Sequence, residues 1–418
     1  MHDLASGPDV RHILLLIASL LAIGAVLGWL ARKLHLPDLV LYLVAGVLLG
    51  PGMTGLVAVP VDSTLGQLIL TFGASYILFD GGTGVRLGLL RDIWITVAAI
   101  STVGVLITAA LVCIAAHLFL GMPWQVALLL GTVIAATDPA ALIPIFKQIR
   151  VRERLAQAVI CEAAFNDAIS AVLTFALVGA ALGAADFRLS SVLGSFALQA
   201  GIGFLVGGAL GLAAAFLMGH GRYGFLRQYA PLLTLITVIG AYFSADGFGA
   251  SGFMAVFVAG VILGNRQVFG FTLAPGEDRR LHEYADTTSL ILRMMIFMLL
   301  GTQMDLRSIG PDSWGIAGCI AVFMLLARPL TVLVCALPDR RARWSLRELL
   351  FMCWTRETGV IPGALAGMLL ARGVAQADRI AAVVFVAVLV TLLVQGSSTR
   401  WLARRLDLLE PGGRPDYG

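Results

Sequence analysis

The sequence predicts an all-α polytopic membrane protein of about thirteen transmembrane helices, arranged as an inverted repeat with two crossed, broken helices. Three observations predict it. Only 13% of the 418 residues are charged and 59% are hydrophobic, with a mean hydropathy of +0.92; soluble domains are about 25% charged. Apolar windows of bilayer-crossing length follow one another from end to end. Two of these windows are interrupted by proline and glycine at corresponding places in the two halves, the pattern of a transporter whose repeats meet at a midplane site.

The windows are 11–31, 37–57, 64–82, 93–119, 125–146, 155–182, 190–218, 228–245, 250–264, 284–303, 313–336, 346–371 and 379–402. The ninth is short, and only Ala245-Asp246-Gly247 divides it from the eighth. Charge tests the count. With the N-terminus outside, one set of alternate loops and the C-terminal tail hold 21 of the 29 basic residues, the other set holds five, and Arg293, Arg328 and Arg356 lie within spans. Basic loops stay cytoplasmic, so the chain is expected in the cell inner membrane with its N-terminus out and C-terminus in. Trp29, Trp94, Trp124, Trp314, Trp344 and Trp401 fall near span ends, as an interfacial belt requires, and Trp354 lies deeper. Forty-seven glycines suit close helix packing. The five cysteines sit in apolar stretches and form no C-x-x-C pair, so they read as small buried residues. No cleaved leader is expected, because the first span lacks a basic stretch before it. Residues 1–182 form the first repeat, 190–218 a linking span, 228–402 the second repeat and 403–418 a short cytoplasmic tail. The segment 271–286 reads as a cytoplasmic loop with a surface helix. The net charge of +4 gives no reason to expect a nucleic-acid partner.

Acids inside apolar windows carry the chemistry. A carboxylate in hydrocarbon costs on the order of 3 kcal/mol, so such residues face a cavity or a partner and mark an ion or proton path. Thr137-Asp138-Pro139 interrupts the fifth span: the proline removes a donor and clashes with the preceding turn, and the freed carbonyls and half-helix ends can ligate a cation. The twelfth span has a matching break at Thr358-Gly359-Val360-Ile361-Pro362-Gly363. On the sixth span, Glu162 and Asn166 share a face, and Asp167 is turned about 100° from Asn166. Asn166 can bond Asp138 or hold the crossing backbone. Desolvation raises a carboxyl's proton affinity and a bound cation lowers it, so cation and proton compete for one oxygen cluster. Glu162 is expected in a structural ion pair with Arg356, with Arg293 as a second candidate partner. Asp80, ending the third span in Phe79-Asp80-Gly81-Gly82, either lines the cytoplasmic funnel or is a solvated helix end. Glu357 is equally support or ligand. Arg328, beside Pro329, snorkels or pairs and receives no role. His117 reads as a solvated residue at an outer span end.

These residues resemble the cation:proton antiporter superfamily, in its NhaP-type sodium/proton branch. The resemblance rests on Ala136-Thr137-Asp138-Pro139, on the run from Glu162 to Asn166-Asp167, on Phe79-Asp80-Gly81-Gly82, and on Arg356 before Gly359 and Pro362, and it covers nearly the whole chain. It implies a core domain that moves against a dimerisation domain, and a homodimer. It implies that Asp167 carries cation and proton in turn, that Asp138 supports the site electrostatically, and that the Thr137 carbonyl is a Na+ ligand. Asn166, in place of a second acid, marks electroneutral exchange, and Glu162 with Arg356 is the core ion pair. The sequence departs from the family at Ala163, where a serine often supplies a hydroxyl to the ion.

The expectation is therefore a secondary transporter, not an enzyme and without a cofactor. It exchanges Na+ or Li+ for H+ by alternating access. A K+/H+ antiporter of the same fold is the alternative. An aspartyl-protease dyad is a weaker rival, because it needs neither thirteen spans nor paired breaks. A channel differs by passing current without proton countermovement.

Overall fold

The computed structural model describes residues 10–34, 37–57, 59–60, 62–137, 146, 151–182, 189–219, 226–304 and 306–409. In chain order its helices are α1 (Val10–Leu34), α2 (Asp38–Leu49), α3 (Thr64–Thr83), α4 (Leu87–Ala99), α5 (Val105–Leu120), α6 (Trp124–Ala135), α7 (Glu153–Leu182), α8 (Leu189–Gly219), α9 (Ala230–Gly247), α10 (Gly252–Gly264), α11 (Pro275–Thr302), α12 (Leu306–Ala321), α13 (Arg328–Cys335), α14 (Leu346–Trp354), α15 (Val360–Ala371), α16 (Ala377–Val390) and α17 (Ser397–Arg405). Every predicted window contains helix among the described residues, and residues 138–145 of the fifth window lie outside them. Eight helical runs are long and apolar enough to cross a membrane, and four shorter apolar helices accompany them, among the described residues. The one β feature among those residues is an isolated antiparallel bridge between Val151 and Leu409.

The helices pack in two groups. One holds α1–α3 and α8–α11; the other holds α4–α7 and α12–α17, and α3, α7, α11 and α15 are among those that touch both. Glycine sets the closest crossings. A Cβ on Gly82 or Gly260 would collide with the backbone of Phe257 or Phe79, so α3 and α10 meet main chain to main chain. Gly46 and Gly301 do the same for α2 and α11. Without a hydrophobic drive between helices in lipid, such close approach supplies van der Waals contact that larger residues would block.

Local sequence explains the ends. Ser63 accepts from the Gly66 amide at 3.1 Å to start α3, and Ser251 accepts from Met254 at 3.2 Å to start α10. Ser345 and Glu348 form a capping box on α14. Three π-helical stretches, Ile100–Gly104, Val322–Ala327 and Thr391–Gly396, interrupt otherwise continuous spans, all in the second group.

Three expectations change. The surface helix expected in 271–286 and the tenth span are one helix, α11, of 28 residues; after Pro275-Gly276 no breaker intervenes. The break in the twelfth span lies at 355–359, earlier than 358–363. Pro362 sits in the first turn of α15, where an absent N–H leaves no bond unmade, so it starts the second half instead of ending the first. His117 is half-buried: its Nδ1 lies 2.8 Å from the Met122 carbonyl oxygen, and its ring stacks on Trp124 with centroids 4.0 Å apart.

Candidate cation site

The site is built from two half-helix ends and the middle of a third helix. α6 ends at Ala135, and Ala136 turns extended with φ −65° and ψ 146°. The sequence accounts for the stop, since Pro139, four residues on, has no N–H to offer the Ala135 carbonyl. Asp138 and Pro139 themselves lie outside the described residues. α14 ends at Trp354, Thr355 leaves the helix with ψ 94°, and Gly359 at φ −147°, ψ −132° leads into α15. Each half-helix therefore ends in mid-bundle with carbonyls that have no partner along their own helix.

An arginine meets each end. Arg356, from the break itself, donates through Nη2 to the carbonyl of Ala135, the last residue of α6, at 2.8 Å. It also donates to Thr108 Oγ1 at 3.1 Å and lies 4.8 Å from the centroid of the Phe323 ring. Arg328, at the start of α13, donates from Nε to the Met352 carbonyl at 2.7 Å and from Nη2 to Thr355 at 3.3 Å, both at the end of α14. Both arginines are buried. Each supplies positive charge where a helix dipole is negative.

Glu162 pairs with Arg328, not with Arg356. The pair is bidentate: Nη2 meets Oε2 at 2.8 Å, and Nη1 meets Oε1. This corrects the expected Glu162–Arg356 pair. Sequence reasoning missed Arg328, although the argument that a lone arginine in lipid needs a partner applied to it equally. Arg293 is not a partner of Glu162 either. It is half-buried on α11 and donates to the Ser289 carbonyl at 3.2 Å, while the Ser289 hydroxyl donates to Asp80 Oδ2 at 2.6 Å. Asp80 is half-buried at the end of α3.

α7 crosses between the breaks. Glu162, Asn166 and Asp167 are each 2% exposed. Asn166 donates from Nδ2 to Glu162 Oε1 at 3.1 Å, so it is tied to the ion pair and holds Asp167 one residue beyond it. Thr174 donates to Thr132 at 3.1 Å, pinning α7 against the last turns of α6. Thr137 follows the end of α6 and is buried. Glu357, fully buried in the second break, has Thr399 Oγ1 3.5 Å from its Oε1. Thr137 Oγ1, Asn166 Oδ1, Ser170 Oγ and Thr358 Oγ1 are buried and have no hydrogen-bond partner among the described residues. Buried polar atoms are ordinarily satisfied, and neutral oxygens of this kind suit a hard cation. Ala163, at the position of the missing hydroxyl, is buried as well.

This is the architecture of a membrane transporter in which the end of α6 and the break between α14 and α15 lie on either side of an acid-bearing span. A family model described as sodium/hydrogen exchanger, transmembrane, matches residues 17–405, and the chain belongs to that family. It is a monovalent cation:proton antiporter of the NhaP type, a transporter and not an enzyme. The chain is 31% identical over 406 residues to the K(+)/H(+) antiporter NhaP of Alkalimonas amylolytica, covering 96% of this chain and 68% of that one. It is 28% identical over 352 residues to the low-affinity Na(+)/H(+) antiporter NhaS1 of Synechocystis sp., covering 82% and 65%. The chain thus spans about two thirds of the length of these relatives. The solved structure of the sodium proton antiporter MjNhaP1 from Methanocaldococcus jannaschii at pH 8 superposes with a TM-score of 0.79 at 25% identity, covering 93% of this chain and 97% of that one.

Proposed function

We propose that the chain exchanges Na+ or Li+ for H+ one for one, with both ions competing for the Asp167 carboxylate. The observation that carries this is the position of Asn166 and Asp167 on α7, between the end of α6 and the break at 355–359, beside buried side-chain oxygens that have no hydrogen-bond partner among the described residues. The Thr137 carbonyl, at the end of the first half-helix, is the second ligand, and Asp138 supplies further negative charge. One carboxylate that must be occupied before the site crosses, by a cation or by a proton, couples the two fluxes. Residues 1–182 and 228–402 act as inverted repeats around 190–218. The concentration of arginine in alternate loops supports a cytoplasmic C-terminus and a location in the cell inner membrane. The lipid-exposed face of α1, whose apolar window is only 11% buried, serves a homodimer.

K+ in place of Na+ is the second reading. Two observations favour it: Ala163 withholds a hydroxyl from the ion, and one of the two relatives above is named for K+.

The test is proton flux in proteoliposomes with an interior pH dye, adding Na+, Li+ and K+ in turn at clamped voltage. Dequenching with Na+ and Li+ alone, insensitive to voltage, supports the first reading; an equal K+ response moves the chain to the second. Asp167→Asn should abolish exchange while the protein still purifies as a folded species. A folded Asp167→Asn protein that still exchanges would remove Asp167 from this role.

A further inference from the structure

α4 and α13 do not close against each other at the arginine-rich end of the bundle. Between them runs a groove of about 270 Å³ lined by Ile95, Ala99, Val103, Val334, Cys335, Pro338 and, at its loop end, Asp339. That is below the roughly 300–1,000 Å³ of a small-molecule pocket, and apart from Asp339 its walls are apolar. Ile95, Val103 and Val334 are themselves exposed at its rim, so it opens sideways, toward lipid.

The mouth of the groove is basic. Pro338 leads into a loop that carries Arg340, Arg341 and Arg343, all exposed, and Arg91 is exposed near the start of α4. These four arginines form no ion pair among the described residues, whereas neighbouring Arg154 and Arg347 reach Glu348 and Asp407. The loop is held in shape. Asp339 Oδ1 accepts from the amides of Arg341 at 3.0 Å and Ala342 at 3.2 Å, and its Oδ2 accepts from Thr96 of α4. Both carboxylate oxygens are taken up by these donors, and Asp339 is buried. Arg343 is fixed at φ +46°, a conformation non-glycine residues adopt only when the surroundings impose it. Trp344 donates to Thr96 at 2.8 Å, and Trp94 is exposed, which sets this level at the membrane–water boundary.

We propose that this groove holds one acyl chain of an anionic phospholipid whose phosphodiester sits among Arg340, Arg341 and Arg343. Apolar walls at acyl depth and unpaired guanidinium groups at headgroup depth match the two ends of that molecule, and arginine suits phosphate oxygens through paired N–H donors.

Native mass spectrometry of the detergent-solubilised full chain, exchanged against equal phosphatidylglycerol and phosphatidylcholine, tests it. The wild type should retain phosphatidylglycerol preferentially. Replacing Arg340, Arg341 and Arg343 by Gln should weaken retention by about fivefold per arginine. Ala99→Phe, which fills the groove and changes no charge, should also release the lipid; Val103→Trp, on the open side, does the same if Ala99→Phe does not fold. Equal retention of both lipids by the wild type overturns the proposal. So does unchanged phosphatidylglycerol binding in the filled variant, which would reduce the effect to diffuse attraction by a basic face.

Discussion

The two half-helix ends solve one problem in different ways. At the end of α14, Arg328 meets the carbonyls of Met352 and Thr355 and is itself neutralised by Glu162. At the end of α6, Arg356 meets the Ala135 carbonyl and is held by the Thr108 hydroxyl and the Phe323 ring, with no carboxylate against it among the described residues. The first end is locked by a bidentate buried pair. The second keeps an unspent positive charge on the side of the bundle where Thr137 begins. The difference teaches that an intramembrane arginine need not mark an ion pair: a helix terminus is an acceptor in its own right.

The sharpest way to break this contrast is Glu162→Ala. It strands Arg328 in the bundle, and removing one member of a buried pair costs about 3–5 kcal/mol. Thermal unfolding in detergent should show a large loss, and a double-mutant cycle with Arg328→Met should recover part of it. The same cycle between Glu162→Ala and Arg356→Met should be close to additive; strong coupling there would restore the pairing first expected. Arg356→Met alone should cost less, about 1.5–3 kcal/mol for hydrogen bonds to a charged donor, yet should depress exchange more than its stability loss accounts for. Retained exchange in a folded Arg356→Met protein would reduce the α6 cap to a structural detail.

The smallest effect lies in the loop after α13. Burial alone would raise the Asp339 carboxyl, but hydrogen bonds from Thr96, Ala342 and Arg341 more than offset it and hold the group below its ordinary range. A depressed carboxyl contributes stability above its unfolded value, near 3.9, and that stability fades as pH falls through the folded value. Wild-type stability should therefore show this limb only below about pH 4. Asp339→Asn should lose about 1 kcal/mol at neutral pH and lack the acid limb; an identical acid profile in the variant would show that the loop does not depend on the charge.

Much of this was legible in the sequence. Apolar windows located the helices, because backbone in lipid has few alternatives to helix. The Thr137-Asp138-Pro139 run marked the end of α6, and the glycine at 359 marked the break before α15, since proline and glycine act locally. Partner choice was not legible. Arg328 and Arg356 are both lone arginines in apolar spans, and which one reaches Glu162 depends on how three helices cross. Asn166 was legible as a hydrogen-bonding residue, but the structure ties it to Glu162, one turn back on its own helix.

The wide turn at Val322–Ala327 has a consequence of its own. A π turn accommodates one more residue than an α turn in the same rise, so everything beyond it is rotated by about 100° relative to an unbroken α-helix. Arg328 is the first residue past that turn. The angular phase of the eleventh span, and with it the direction in which its arginine points, is thus set by a single surplus residue upstream. Deleting one residue within 322–327 should therefore let the turn close to an ordinary α turn in the same rise and leave the guanidinium facing Glu162, whereas a change that forced the full-length stretch into α-helix would carry it away.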